Sequence, residues 1–478
     1  MRRYTPGMVP TKLPLAVDLD GTLCRSNTII EQVAFLLCER PWLMFALPLW
    51  LLHGRPAFKA ALACVAPIDR ITLPYHSALV LYLETEAASG REIVLVTAAD
   101  RSTAEHVASL FPFFREGVGT DGSTNLAGRA KGDYLAKRYG EKGFVYAGNE
   151  HRDLKVWARA GGAVVVNPSA GLERAAALIV PIERSFEDRP RRIPTVIRLL
   201  RPHQWLKNVL VFVPVFTAHR LGDPVILWSA IGAFACFCLA ASGAYVLNDV
   251  VDLPSDRAHD TKKRRPFASG DLPVEWGLLL APLLLVLAAL GSVALPPAAR
   301  GILAVYVVVT LLYSLAFKRF LLLDVLVLAG LYALRLVMGH AATGIPFSAW
   351  LTVFALCMFL SLALLKRFSE LRNRVEGYVP GRGYHVEHRA VVLWVGVAAG
   401  AVAAMVIVAY AGSAHVRTLY GRPEFLYVLG PLFFVWIMRM WRLGYKGEMH
   451  EDPVLFTLHD LFSVAVGAAT ILCMFLAR

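Results

Sequence analysis

Cysteine is scarce in this sequence, with seven among 478 residues. The odd number argues against a disulfide framework, and no cysteine is spaced with a histidine as metal ligands are. Cys236 and Cys238, inside an apolar run, therefore read as reduced packing residues. The first 21 residues lack the apolar core of a signal peptide, so the first domain is expected to stay in the cytoplasm. No nucleic-acid-binding motif occurs. Charge is sparse too: 18% of residues are charged and 56% hydrophobic, at a mean hydropathy of +0.53. Such a chain is too apolar for a soluble enzyme, yet its polar stretches are too long for a pure membrane bundle, so two domains are expected. The formal net charge of +13 then points to cytoplasmic loops and anionic headgroups or substrates, not to nucleic acid.

What is present begins with a strand pattern. Leu13 to Leu23 is a short apolar run ending in acid, glycine and threonine, as a buried parallel strand does when it delivers Asp18 and Asp20 at its carboxyl end. Glu92–Asp100, with Thr97 near its end, and Phe144–Gly148, running into Asn149 and Asp153, repeat the pattern. Ala163–Asn167 adds another strand. Helical stretches alternate with these, which argues for a doubly wound, Rossmann-like α/β domain over residues 1–185. Two carboxylates two positions apart on a strand end supply one nucleophile and one proton carrier, with Mg²⁺ and a lysine neutralising phosphoryl oxygens. Residues 24–90 form a mostly helical insert, a candidate cap. Inside it Pro41–Gly54 is an apolar run too short to span a bilayer. It reads equally as a core helix of the cap or as a segment dipping into the membrane interface, with Trp42 and Trp50 at headgroup level.

Residues 186–200 read as a linker, overlapping a charged stretch from Glu183 to Arg192 with prolines near each end. Beyond it, 201–478 carries apolar runs for about nine transmembrane helices. Lysine and arginine concentrate in alternate loops, which puts the polar clusters and the first domain on the cytoplasmic side of the inner membrane. Between two such runs lies Asn248 to Gly270, where Asn248, Asp249, Asp252 and Asp256 fall within about two and a half helical turns. Arg257, Lys262, Lys263, Arg264 and Arg265 follow. Carboxylates beside hydrocarbon are costly unless a cation holds them. Oxygens spaced three and four apart on a helix converge on one face, where Mg²⁺ binds while taking further oxygens from a diphosphate. The loop from Lys366 to Arg389 offers no second acidic cluster. It presents Lys366, Arg367, Glu370, Arg372 and Arg374 instead, suiting a ligand with one phosphate end on metal and another on cations. Asp324 follows Lys318 and Arg319, and Arg335 lies roughly three turns deeper, where a charge must face the bundle interior. Asp460, after Glu451 and Asp452, is a weaker candidate.

Two family resemblances rest on these residues. N-D-x-x-D-x-x-x-D at Asn248, Asp249, Asp252 and Asp256 resembles the first aspartate-rich motif of the UbiA-type intramembrane transferases. With Arg257, His259, Lys262, Arg265 and Pro266 in train, and RPxQWxKN ending in Lys207 and Asn208, it is closest to the polyprenyl-phosphate phosphoribosyltransferase branch. That branch implies a Mg²⁺-dependent transfer of 5-phosphoribosyl from phosphoribosyl diphosphate to polyprenyl (decaprenyl) phosphate, a step toward cell-wall arabinan. It implies metal ligation by Asp249, Asp252 and Asp256, and phosphate contacts from Lys207, Asn208, Asn248, Arg257, Lys262, Arg265, Lys318, Arg335, Lys366 and Arg367. The DxDGT at Asp18, with three later motifs in order, resembles the haloacid dehalogenase-like (HAD) phosphohydrolases over about 170 residues. On that resemblance Asp18 is the nucleophile and Asp20 the acid/base. Thr97 and Lys131 hold the phosphoryl group, while Asp18, Asp20, Asn149 and Asp153 form a second Mg²⁺ site. Asn149 stands where the family usually has aspartate, which lowers the charge on the metal. The fusion implies removal of the 5-phosphate from the lipid-linked product. Two alternatives remain open: prenyl transfer from prenyl diphosphate to an aromatic acceptor, and a membrane scaffold or transporter with an inactive first domain.

Overall fold

The computed structural model describes residues 12–121, 125–372, 377, 383–449 and 452–478; Arg374 and Glu451, named above, lie outside them. The chain forms two compact units, Met1–Leu200 with Tyr245–Leu280, and Arg201–Ala244 with Ala281–Arg478. Composition alone divided the chain near residue 200 and assigned the whole acid-rich stretch to the second part. The structure groups that stretch with the first unit, because its Arg257 forms a two-pronged ion pair with Glu31, at 2.7 and 2.8 Å, and both side chains are buried.

In the first unit, strands β1 (Leu15–Val17), β2 (Ile93–Asp100), β3 (Gly117–Thr120), β4 (Val145–Gly148), β5 (Gly162–Val166) and β6 (Ile182–Phe186) form one parallel sheet. Their order is β3-β2-β1-β4-β5-β6. Successive side chains of a strand point to opposite faces, so each central strand supplies two cores. Leu15, Val17, Ile93, Leu95, Val145 and Ala147 enter one layer with Leu79, Leu83 and Val107 from helices. Ala16, Val94, Val96 and Tyr146 enter the other with Leu135, Val156 and Trp157. The winding reverses between β1 and β4, and a crevice opens beyond the carboxyl ends of strands at such a point.

Strands β3 and β6 had no clear signal. β3 reads Gly-Val-Gly-Thr, and β6 is polar and largely exposed at the sheet edge. β6 is held by Arg91, which bonds both Glu86 and Glu183 at 2.9 Å, and of the expected linker 186–200 the strand takes Phe186 while Arg192–Leu200 is helical. The insert after β1 contains helices Thr28–Glu39, Pro41–Ala46, Leu47–Leu52 and Arg55–Val65 around a small apolar cluster of their own. Helix Ser77–Ala88 packs instead on the sheet, so the cap is shorter than residues 24–90 suggested.

Among the described residues, seven helices are long and apolar enough to cross a bilayer, or eight if Pro453–His459 and Leu461–Ala477, bent by 84°, count as one span. About nine were expected. The stretch 209–219, which the sequence offers as a short first span, does not form one: Pro202–Phe212 is a 3-10 stretch and only Val213–Thr217, with Pro214 inside it, is α-helical. In the second unit Ala349–Arg372 packs against Leu321–Thr343 and Arg389–Ala411, which in turn meets Leu429–Lys446. Gly396 lets the Trp441 ring lie directly on its helix, where a Cβ would collide with that ring. Small-residue stretches thus serve close helix packing.

Buried in this bundle, Arg367 bonds Asp324 at 2.6 Å and grips both oxygens of Glu370 at 2.7 Å, and Tyr313 donates to Asp324 at 2.8 Å. Removing one partner of a buried pair leaves an uncompensated charge, at a cost of about 3–5 kcal/mol. Arg367→Met is therefore expected to lower the thermal unfolding temperature of the detergent-solubilised protein sharply. Arg319→Met, at an exposed turn position, is expected to leave it nearly unchanged.

Candidate functional site

The first cluster gathers at the carboxyl ends of β1 and β4. Asp18 accepts from Lys131 at 2.8 Å, Lys131 donates to the Tyr146 hydroxyl at 2.8 Å, and that hydroxyl donates to Asp153 at 3.1 Å. The Asn149 and Glu150 amides hold the other Asp153 oxygen at 2.9 Å each. Asn149 accepts from Thr22 at 3.2 Å, and Gly21, with φ +74°, leaves room that any Cβ would take from the Asn149 amide. Asp20 accepts from the Thr28 amide at 2.7 Å. Its burial pushes the carboxyl up to about 6, opposed by that hydrogen bond and reinforced by Asp18. Asp20 thus keeps its proton well into the range where an ordinary aspartate is ionised. Burial and the charge of Asp18 likewise raise Asp153, against the pull of Lys131. Thr97 is buried and accepts from the Ala99 amide at 3.0 Å.

A cleft of about 370 Å³ is lined by Asp18, Asp20, Lys131 and Asp153, and from the cap by Leu51, Arg55, Phe58 and Lys59. Lys59 donates to Asn125 at 2.9 Å and to the Ala98 carbonyl. Tyr146, Arg55 and Lys59 carried no motif signal; their roles follow from where the sheet and the cap bring them.

The second cluster is the acid-rich stretch, where helix Pro224–Val251 ends and the short helix Leu253–Arg257 begins. Asp249 and Asp256, both buried, converge on one nitrogen of Arg265, at 3.1 and 2.6 Å. Burial raises the Asp256 carboxyl, and Arg265 opposes the shift. Asp252 stands apart from that pair, accepting from Asn248 at 2.9 Å. Arg257 is committed to Glu31 and to the Thr72 and Ala268 carbonyls. Lys262 is exposed in the turn Lys262–Arg264. Among the described residues no three His, Cys, Asp or Glu side chains gather as a metal cluster. Arg265 takes the cation position at Asp249 and Asp256, and Tyr146 with two backbone amides occupies Asp153.

The third cluster lies inside the second unit. Arg335 donates to Asn208 at 2.8 Å and to the Leu331 carbonyl, with its guanidinium over the rings of Tyr306 and Tyr332 at 5.2 and 5.3 Å. Lys207 lies over the Tyr332 ring at 5.6 Å, and Asp452 accepts from Lys207 at 3.1 Å and from Lys366 at 2.8 Å. Lys207 and Lys366 thus share one carboxylate, and Arg335 joins them through the Tyr332 ring that it and Lys207 both face, a polar network suited to an anionic ligand. Arg367 is held by its buried ion pairs, Lys318 is half-buried on the turn Phe317–Arg319, and Asp460 pairs with Arg439 at 2.6 Å. Tyr306, Tyr332 and Asp452 join the network only through the fold.

Apolar spans with charged clusters buried among them define a multi-pass membrane protein. A model described as the UbiA prenyltransferase family matches residues 209–465. The chain belongs to that family. It is 36% identical to the uncharacterized protein y4nM of Sinorhizobium fredii, over 96% of this chain and 89% of that one, so the likeness includes the sheet-bearing unit. It is 34% identical to the nodulation protein NoeC of Azorhizobium caulinodans, over 56% of this chain and 87% of NoeC. A decaprenyl-phosphate phosphoribosyltransferase of Mycolicibacterium smegmatis is 35% identical over 37% of this chain and 57% of its own length.

Proposed function

We propose that the chain transfers 5-phosphoribosyl from phosphoribosyl diphosphate to polyprenyl phosphate, and that its sheet-bearing unit is a HAD-like phosphatase that removes the 5-phosphate of the product. The observation that carries the transferase half is the convergence of buried Asp249 and Asp256 on one cation position. The 35% identity to decaprenyl-phosphate phosphoribosyltransferase supports the choice of donor and acceptor.

The residues present fit a divalent ion. Two carboxylate oxygens already share one cation, and Asp256 Oδ1 is buried with no hydrogen-bond partner among the described residues. Asp249 and Asp256 would hold Mg²⁺ in place of Arg265, with Asp252 beside them. When bound, Mg²⁺ neutralises the departing diphosphate. This chain's residues do the rest. Within the second unit, Lys207, Arg335 and Lys366 supply positive charge for an anionic group, and Asn208 fixes the Arg335 guanidinium. The bond from the anomeric carbon to diphosphate breaks as the acceptor phosphate oxygen forms its own bond to that carbon. The acceptor is already anionic, so no general base is required, and catalysis is positioning and electrostatics.

In the phosphatase half Asp18 attacks the phosphorus, Asp20 gives its proton to the departing 5-oxygen, and Lys131 neutralises the transferred group. Asp20 then takes a proton from the water that hydrolyses the aspartyl-phosphate. Asp18 and the Asn149 carbonyl are hard oxygen donors suited to a second Mg²⁺, and Asp153 orients the loop that carries Asn149. Tethering both activities in one chain raises the local concentration of the intermediate. We place both sites on the cytoplasmic side of the inner membrane, from the loop charges.

The direct test is mass spectrometry of the lipid formed from phosphoribosyl diphosphate and polyprenyl phosphate by the purified protein. A polyprenylphosphoryl ribose is expected. Product from prenyl diphosphate and an aromatic acid instead would overturn the transferase reading.

A further inference from the structure

The cap carries a surface that its own fold leaves uncovered. Along Pro41–Leu52, Leu43, Met44, Leu47 and Trp50 turn inward onto Leu36, Leu62 and the rest of the cap cluster. The opposite face is apolar as well. Trp42, Phe45 and Leu52 are 65%, 84% and 81% exposed, and Leu49 lies between them. A helical segment on an aqueous surface shows polar residues outward; one that is apolar on both faces has a second apolar environment to meet. Trp50, one of the two tryptophans expected at headgroup level, belongs to the cap core, and Trp42 alone faces out.

Cations bracket the apolar face. Arg40 precedes it and Arg55 follows, both exposed and neither with an ion-pair partner among the described residues. Apolar side chains flanked by free arginines match a bilayer interface with anionic headgroups. Leu51, at the end of the segment, also lines the Asp18 cleft beside Ile29 and Phe58, so that the apolar surface continues to the mouth of the cleft. We infer that the outer face of Pro41–Leu52 inserts into the membrane interface, and that the cleft draws its phosphomonoester substrate, lipid-linked, from the bilayer through this mouth. The insertion rests on the surface alone, whereas the choice of substrate rests on the phosphatase reading above.

Two measurements on the full chain in phosphatidylglycerol vesicles separate these halves. A spin label at Phe45→Cys, in a Cys64→Ser background and corrected for the labelled parent, should be relaxed more by oxygen than by a water-soluble nickel complex. Greater relaxation by nickel, or protection from both reagents as a second copy or another face of this chain would give, overturns insertion. The triple variant Trp42→Ser, Phe45→Ser, Leu52→Ser should hydrolyse p-nitrophenyl phosphate within about twofold of wild type. It should lose about tenfold or more on polyprenylphosphoryl 5-phosphoribose carried in vesicles, because apolar area anchors such elements. Equal loss on both substrates, or on neither, overturns delivery from the bilayer. If the wild-type protein hydrolyses neither ester, the phosphatase reading fails, and the label's depth still decides insertion.

Discussion

Asp249→Asn is expected to lower phosphoribosyl transfer by about 10²–10³-fold while the protein still folds and inserts. The substitution keeps shape and removes one charge, and a preorganised electrostatic group aimed at a departing anion is typically worth that much. Structure supplies the control. Asp256 remains to pair with Arg265 at 2.6 Å, so the half-buried guanidinium is not orphaned and the unfolding temperature should shift little. Asp252→Asn should be milder in the absence of ligand contacts, since Asp252 is held by Asn248 and not by Arg265. The measurement is formation of labelled lipid from labelled phosphoribosyl diphosphate, at several Mg²⁺ concentrations. Activity unchanged in Asp249→Asn would remove the acid-rich stretch from the reaction.

Asp18→Asn should lower release of phosphate from the lipid-linked product by about 10³-fold or more, because a missing nucleophile closes the covalent route altogether. Transfer itself should be untouched. The lipid recovered from this variant should therefore be heavier by one phosphate than that from wild type. Asn lacks the charge that holds Lys131 at 2.8 Å, but Lys131 keeps its Tyr146 bond, so the cleft should stay in place. If wild-type product already retains the 5-phosphate, and Asp18→Asn changes nothing, the coupling of the two activities is lost.

How far the sequence reached can be judged residue by residue. Strands β1, β2, β4 and β5 were legible because they are continuous apolar runs with acid or polar residues at their carboxyl ends, the mark of strands buried on both faces. β3 and β6 were not, since an edge strand needs no apolar pattern. The acid-rich stretch was visible from spacing alone. Its neutralisation was not: Arg265 and Arg257 look alike in sequence, yet one sits on Asp249 and Asp256 and the other on Glu31. Arg257 meets an acid 226 residues away, which no local pattern records, and that leaves the nearby Arg265 to the two aspartates.

By itself the sequence determined that the chain has a Rossmann-like sheet ahead of a membrane bundle, and that carboxylates and cations cluster beside hydrocarbon. Short apolar runs ending in acid, long apolar runs, and the cost of bare charge beside them are local facts. Only tertiary structure decided that Arg367 is a buried strut bonded to Asp324 and Glu370, that Asp452 joins Lys207 to Lys366, and that the cap turns Trp50 inward and Trp42 outward. Each of these is settled by which neighbour fills the space around a side chain, and packing fixes that neighbour only once the whole fold is in place.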